Sequence, residues 1–346
     1  MSLRILGFGN VGRRAALYAR SVDVPVVAVA DRSGVQTVDK PHSFEKLVEI
    51  KKTEGALRSD GKSSLKSLLT AERGAVIADC SASDDTAELL IKAADKGMGV
   101  VLANKKVLTG SADAFTALTK HPRVRFEATV GAGLPVMVTA RRMLDCKDEI
   151  ELVTGQLSGT LGYILSRLSQ GSVLFSQAVK EAMEKGYTEP DERDDLSGVD
   201  VGRKALILAR YALRQTSLTM DQLKIEALFP HEFAELPLAD FRKRLTELDA
   251  GFTERVQSAK SRGSVLRYAA QVSREGAKVG LVEVPASSPL GALNGTNNLV
   301  SFRSRMYPEG QETVIIGPGA GVAVTAAAVV SDVVELRGMK VRTPRA

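Results

Sequence analysis

Six carboxylates and a lysine crowd residues 186–204, GYTEPDERDDLSGVDVGRK: Glu189, Asp191, Glu192, Asp194, Asp195 and Asp200, then Lys204. Carboxylates grip an amino group, and a lysine one helical turn beyond Asp200 can move a proton. Asp200 and Lys204 stand four apart, so a helix beginning near residue 196 puts them on one face. The same spacing also describes a solvated surface ion pair.

Three other segments carry groups of the same kind. Asn104-Lys105-Lys106 follows an apolar run, at the carboxyl edge expected of a parallel strand, where ligands bind. A lysine there can polarise a hydroxyl or carbonyl oxygen, or simply face water. EATVGAGLP at 127–135 is rich in small residues whose carbonyls stay accessible. Such a bend can ligate a hard cation through oxygens, or merely link two domains. Ser158-Gly159-Thr160 closes a strand pattern before a helix, where amides and a hydroxyl suit a carboxylate or form a plain cap. His42, His121 and His231 lie in polar, loop-like surroundings and are assigned no role. Proton transfer falls to lysine and carboxylates.

The elements that must position these groups begin with a nucleotide signal. Gly7, Gly9 and Gly12 form G-x-G-x-x-G, with Asn10 and Val11 opening the following helix. Glycine permits the tight turn and lets the backbone approach a pyrophosphate on the helix N-terminus. Asp31 ends the next strand pattern, where an acid binds a ribose 2′-hydroxyl and favours NAD. Arg32 beside it suits the 2′-phosphate of NADP, so the choice stays open.

Apolar runs at 3–6, 24–30, 75–79, 99–103 and 124–128 alternate with helical patterns at 86–96 and 112–118. That alternation predicts a doubly wound parallel sheet of Rossmann type over residues 1–132. From 133 the texture changes. Helices are expected near 135–144, 161–168, 174–185, 196–213, 240–248 and 253–259, with β-runs at 149–157, 265–272, 278–284 and 299–305. This is a second, α+β domain over 133–306. The segment 307–346 holds a Gly turn and a long small-residue helix, predicted to return to the nucleotide domain. Its basic end, 337–346, reads as a frayed tail.

At 346 residues, two domains are the default. The net charge of +6 is modest and aromatics are only 5%, so no basic, aromatic-interleaved stripe points to nucleic acid. Two cysteines outside any C-x-x-C pair argue against a cysteine zinc site. No apolar run reaches membrane-spanning length and no signal core opens the chain, so a cytoplasmic protein is expected.

Taken in order, GFGNVG, ANKK, EATVGAGLP, SGTLGYI, GYTEPDERDDLSGVDVGRK and GPGAGVAVTAAAVVSD resemble homoserine dehydrogenase along the whole chain. The resemblance implies interconversion of L-homoserine and L-aspartate 4-semialdehyde with NAD or NADP, on the route to threonine and methionine. It implies that Lys105 and Lys204 are catalytic, Lys204 exchanging the proton. Gly159, Thr160, Tyr187, Glu189, Asp195 and Asp200 would bind substrate. Ser81, Asn104, Lys105 and Gly319 would lie near the nicotinamide. Glu127, Val130, Ala132 and Leu134 would form a sodium or potassium site from mostly main-chain oxygens. A homodimer built through the second domain is implied, and no C-terminal regulatory domain is expected. A lysine base must shed its charge, which burial or a second lysine favours. The rival readings are another carbonyl reductase on this fold, which has no use for the acidic block, and a dinucleotide sensor, which has none for the two lysines.

Overall fold

The computed structural model describes residues 1–38, 41–58, 64–70, 72, 74–171 and 173–339, with backbone alone at 41–43. Most of the basic tail, 340–346, and the side chain of His42 lie outside the described residues. The chain divides into two compact units, Met1–Gly133 with Gly321–Ala346, and Leu134–Ala320.

The first unit runs β1 (Leu3–Leu6), α1 (Asn10–Ser21), β2 (Val26–Asp31), β3 (Gly34–Thr37), α2 (Pro41–Glu54), β4 (Val76–Asp79), α3 (Ala87–Asp95), β5 (Gly99–Leu102), α4 (Lys105–Thr109), α5 (Ala112–Thr119) and β6 (Val124–Arg125). Its sheet has the order β3-β2-β1-β4-β5-β6. All pairs are parallel except β2 with β3, a hairpin that reverses the edge strand. This is a Rossmann-type sheet. Val76, Ile77, Ala78, Val100, Val101 and Leu102 are fully buried, as expected of strands covered on both faces.

The second unit runs α6 (Val136–Asp145), β7 (Ile150–Gln156), α7 (Gly159–Ser169), α8 (Phe175–Glu184), α9 (Arg193–Leu196), α10 (Val199–Ala212), β8 (Lys224–Ile225), α11 (Leu238–Arg244), α12 (Asp249–Ser261), β9 (Ser264–Ser273), β10 (Gly276–Pro285), β11 (Asn297–Ser304) and β12 (Thr313–Pro318). The sheet order is β12-β11-β7-β9-β10-β8, antiparallel but for β10 with β8. Arg267 on β9 is 2% exposed. Its guanidinium donates to the carbonyls of Leu290 (3.1 Å), Leu266 (2.9 Å), Gly291 (2.5 Å) and Leu293 (3.1 Å) and to Ser169 Oγ (2.9 Å). It thereby fastens the 290–293 loop and the end of α7 to the sheet.

The last helix, α13 (Val322–Gly338), belongs to the first unit. Its Ala326, Val329, Val330 and Val333 join Ala15, Ala16 and Ala19 of α1 in the core under the sheet. Alanines on both helices allow the close approach.

Several expectations shift at boundaries. The helix expected at 196–213 is α10 and begins at Val199, because Gly198 takes φ +72° and separates it from the short α9. A Cβ there would sit 1.8 Å from Tyr268 Oη, so the joint requires glycine. The run 124–128 leaves the sheet after Arg125 and enters a 3₁₀ turn at Glu127–Thr129.

Candidate active site

In the first unit the glycine turn has the geometry of a phosphate cradle. Gly7 has φ +90°, and a Cβ there would press to 2.4 Å from the Ser81 amide nitrogen. A Cβ on Gly12 would meet the Gly7 carbonyl oxygen at 2.0 Å. At Gly9, the N-cap of α1, a Cβ would find nothing within 4 Å. The turn is therefore closed towards the protein and open at the helix N-terminus, where backbone amides and the helix dipole favour an anion. Asn10 and Val11 form the first turn of α1, and Asn10 Oδ1 accepts from Arg13 at 2.7 Å.

Asp31 ends β2 with its carboxylate turned into the protein. It accepts from Lys51 Nζ (2.6 Å), Ser33 Oγ (2.5 Å), Ser33 N (2.8 Å) and Leu57 N (3.0 Å). Burial works to raise its pKa, but the bond from Lys51, then those from Ser33 and Leu57, hold it below the usual carboxylate range. Arg32 next to it is exposed.

At the carboxyl edge of the sheet Asn104 caps α4, its Oδ1 accepting from Lys106 N at 3.1 Å. Lys105 is the first residue of that helix and half-buried, while Lys106 pairs with Asp84 at 2.8 Å. Ser81 follows β4, its N–H donating to Asp79 at 2.9 Å. Asp79, fully buried, had no role in the sequence reading, although an acid closing an apolar strand is a visible signal.

The 127–132 bend buries Glu127, Val130 and Ala132, and it turns through consecutive positive φ values at Gly131 (+81°) and Ala132 (+56°). Glu127 N donates to Asp332 of α13 at 2.9 Å. Burial pushes the Asp332 carboxyl up to about 8, and the Glu127 charge adds to the rise against the opposing pull of that hydrogen bond. Two buried acids, with the main-chain carbonyls of the bend, are oxygen donors of the kind that suits a hard cation. Among the described residues no group of three or more His, Cys, Asp or Glu could hold a metal. Main-chain oxygens would have to complete such a site. Leu134, already in the second unit, is buried and its carbonyl accepts from Val136 N at 2.8 Å.

In the second unit Lys204 is 9% exposed. Its Nζ donates to Leu157 O at 2.6 Å, where β7 ends, and pairs with Asp200 at 2.8 Å. The ion-pair and buried-lysine readings therefore describe one arrangement: Asp200 is half-exposed while its partner is buried. Ser158 Oγ caps α7, accepting from Leu161 N at 3.2 Å. A Cβ on Gly159 would come within 3.0 Å of Thr296 O. Thr160 Oγ1 donates to Tyr187 O at 2.5 Å, and Asp195 accepts from Glu189 N at 2.8 Å. Tyr187 is exposed and meets Tyr163 edge-to-face at 5.1 Å. These bonds draw Thr160, Tyr187, Glu189 and Asp195 into one acidic cluster. Burial raises the Asp195 carboxyl; the Glu189 N–H and Thr160 hydroxyl pull it down, and the charges of Glu189 and Asp200 push it up. Gly319 packs against Asn298, whose Cγ would lie 1.8 Å from a Cβ at that position. Gln156, just before Leu157, is fully buried with its Oε1 unpartnered; the sequence reading passed over it.

A sequence profile described as homoserine dehydrogenase matches residues 135–334, and one described as the homoserine dehydrogenase NAD binding domain matches 7–126. The homoserine dehydrogenase of Paracoccidioides brasiliensis is 31% identical, over 96% of this chain and 97% of that protein. The bifunctional aspartokinase/homoserine dehydrogenase of Haemophilus influenzae is 38% identical over 75% of this chain; the match spans about a third of that longer relative, 32%. A hyperthermophilic archaeal homoserine dehydrogenase solved in complex with NADPH is 24% identical and shares the fold, with a TM-score of 0.72 over 99% of both chains. On the two profiles and the full-length relative, with the nucleotide turn and the buried lysine in place, this chain belongs to the homoserine dehydrogenase family.

Proposed function

We propose that this chain interconverts L-homoserine and L-aspartate 4-semialdehyde with a nicotinamide dinucleotide. The observation that carries the reading is Lys204, a buried lysine held between a strand-end carbonyl and Asp200. Glu189, Asp195 and Asp200 take the substrate ammonium. The amides opening α7, with Gly159 and Thr160, take its carboxylate. When bound, the nicotinamide supplies the hydride acceptor for oxidation and the donor for reduction. As the neutral amine, Lys204 Nζ receives the hydroxyl proton on oxidation and becomes the ammonium, which returns that proton on reduction; Lys105 is the second lysine of this chemistry. Tyr187 flanks the ammonium site, while Ser81, Asn104 and Gly319 bound the nicotinamide. Glu127, Val130, Ala132 and Leu134 hold sodium or potassium, offsetting the buried acids at 127 and 332. The first unit is the dinucleotide domain. The second binds substrate and pairs two copies into a homodimer, in a cytoplasmic enzyme of threonine and methionine synthesis.

The direct test mixes the protein with L-homoserine and NAD or NADP at alkaline pH and follows reduced-nicotinamide absorbance. No turnover with either cofactor, in either direction, rules the reading out.

NADP is the favoured partner, because Asp31 is turned inward and bonded to Lys51 while Arg32 is exposed beside it. Arg32→Ala should weaken NADP by roughly 10- to 150-fold, the range of a charge-assisted contact, and leave NAD nearly unchanged. Equal losses in the two binding constants would take Arg32 away from the ribose.

The raised Asp195 carboxyl gives a pH signature. On acidification it takes a proton at a higher pH than an ordinary aspartate and loses its attraction for the ammonium. KM for homoserine should therefore climb on the acid side, and Asp195→Asn should raise KM and flatten that limb. A variant profile that keeps the wild-type acid limb assigns the titration to another group.

A further inference from the structure

We infer that Asp79 is a positioning residue that dictates which way round the Asn104 carboxamide sits, and through it where Lys105 is held. The inference rests on the proposed reaction only for the role of Lys105. Asp79 ends β4, between β1 and β5, in register with Leu6 and Leu102. It is fully buried. Its carboxylate accepts from Ser81 N (2.9 Å), Thr86 Oγ1 (2.7 Å) and Asn104 Nδ2 (3.1 Å), all neutral donors. Its carbonyl accepts from Ala103 N (2.8 Å) and Asn104 N (3.2 Å), so side chain and main chain hold the same neighbour.

The polarity of these bonds decides the outcome. The Asp79 oxygens accept from Ser81 N and Thr86 Oγ1 and present lone pairs to Asn104, which turns its NH2 towards them. The other N–H of that group goes to Ser83 O at 2.8 Å. With both donors engaged, Oδ1 faces the opposite way and caps α4 through Lys106 N. Lys105 is the first residue of α4, so its backbone, and the direction its side chain leaves, follow from that cap. A free carboxamide is close to symmetric and can flip. The buried acid removes that freedom. The Ser81 N–H that Asp79 holds lies against Gly7, so the acid also ties the lysine segment to the nucleotide turn. A buried polar group costs stability unless it is hydrogen-bonded, and this one is held by three donors. Orientation is what the carboxyl supplies that an apolar residue could not.

Asp79→Asn tests this. Asparagine can still accept from Ser81 N, but its NH2 then meets the Asn104 NH2, Asn104 must flip, and the cap is lost. The expected result is a kcat for homoserine lower by on the order of 10²-fold per folded molecule, the cost of misplacing a reacting group by about 1 Å. The Kd of the reduced dinucleotide, read from its own fluorescence, should rise about tenfold. Asn104→Asp is the second variant, needed if Asp79→Asn does not fold: it keeps an acceptor for the cap but loses the donor to Asp79, and the same two losses are expected. A melting temperature that falls while kcat and Kd hold in both variants reduces Asp79 to a structural knot and overturns the inference. So does wild-type behaviour of Asn104→Asp. If wild-type protein turns over no homoserine, the proposed reaction fails by itself, and Asp79 is judged on Kd alone, an unchanged value overturning its role.

Discussion

Lys204→Met should lower homoserine turnover by about 10²–10⁴-fold, the contribution of a positioned acid–base group, in a protein that stays folded and binds dinucleotide. Methionine keeps much of the side-chain bulk and removes the proton carrier. Folding should survive because the carboxylate left behind, Asp200, is 46% exposed and can be hydrated. A lysine serving only as an ion-pair partner would contribute about 1 kcal/mol at most, chiefly to stability. The measurements are single-substrate kinetics and a dinucleotide titration on the same preparation. Retention of more than about a tenth of wild-type turnover lies below the acid–base range and would move the proton to Lys105.

The second large effect is on stability. Arg267→Met should destabilise the second unit by roughly 3–5 kcal/mol, the cost of breaking a buried charged hydrogen-bond network. The guanidinium is the shared donor for the carbonyls of Leu290, Gly291 and Leu293, and methionine leaves them buried without that partner. A unit of this size loses about 2–4 °C per kcal/mol, so its thermal transition should fall by roughly 6–20 °C. The 290–293 loop leads to Thr296, packed on Gly159, so KM for substrate should rise too. A melting curve within about 2 °C of wild type, under 1 kcal/mol on that scale, would show that water satisfies the loop carbonyls.

The nucleotide half was the more legible in sequence because its signals are local. β1 occupies residues 3–6 as expected, and the glycine spacing alone requires the turn seen at Gly7 and Gly12. β3 escaped notice because a four-residue hairpin edge has little periodicity to show. β12 escaped for a related reason. Its Gly317-Pro318 end reads as a turn, and the strand pairs on one side only, with β11, so its residues alternate between half-buried and exposed. The acidic block and Lys204 could be picked out by type and spacing, but not their burial. An i,i+4 pair looks the same on a surface as in a core, and the deciding partner, Leu157 O, lies 47 residues away. Asp79 is the same case: the strand it ends was visible, yet Asn104, which gives it meaning, lies 25 residues on.

The placement of α13 has a consequence for synthesis. The first unit is written in two pieces, and its core lacks Ala326, Val329 and Val333 until the final helix leaves the ribosome. Roughly 190 residues separate the pieces, which at about 5–20 residues per second is a wait of roughly 10–40 s. The inserted unit is contiguous and its last strand, β12, precedes α13 in the chain, so it is complete before the first unit is, and the N-terminal half matures last. Through that interval α1 presents an unmatched alanine face, and a nascent chain stalled before residue 322 should be a client for chaperones that bind exposed apolar surface.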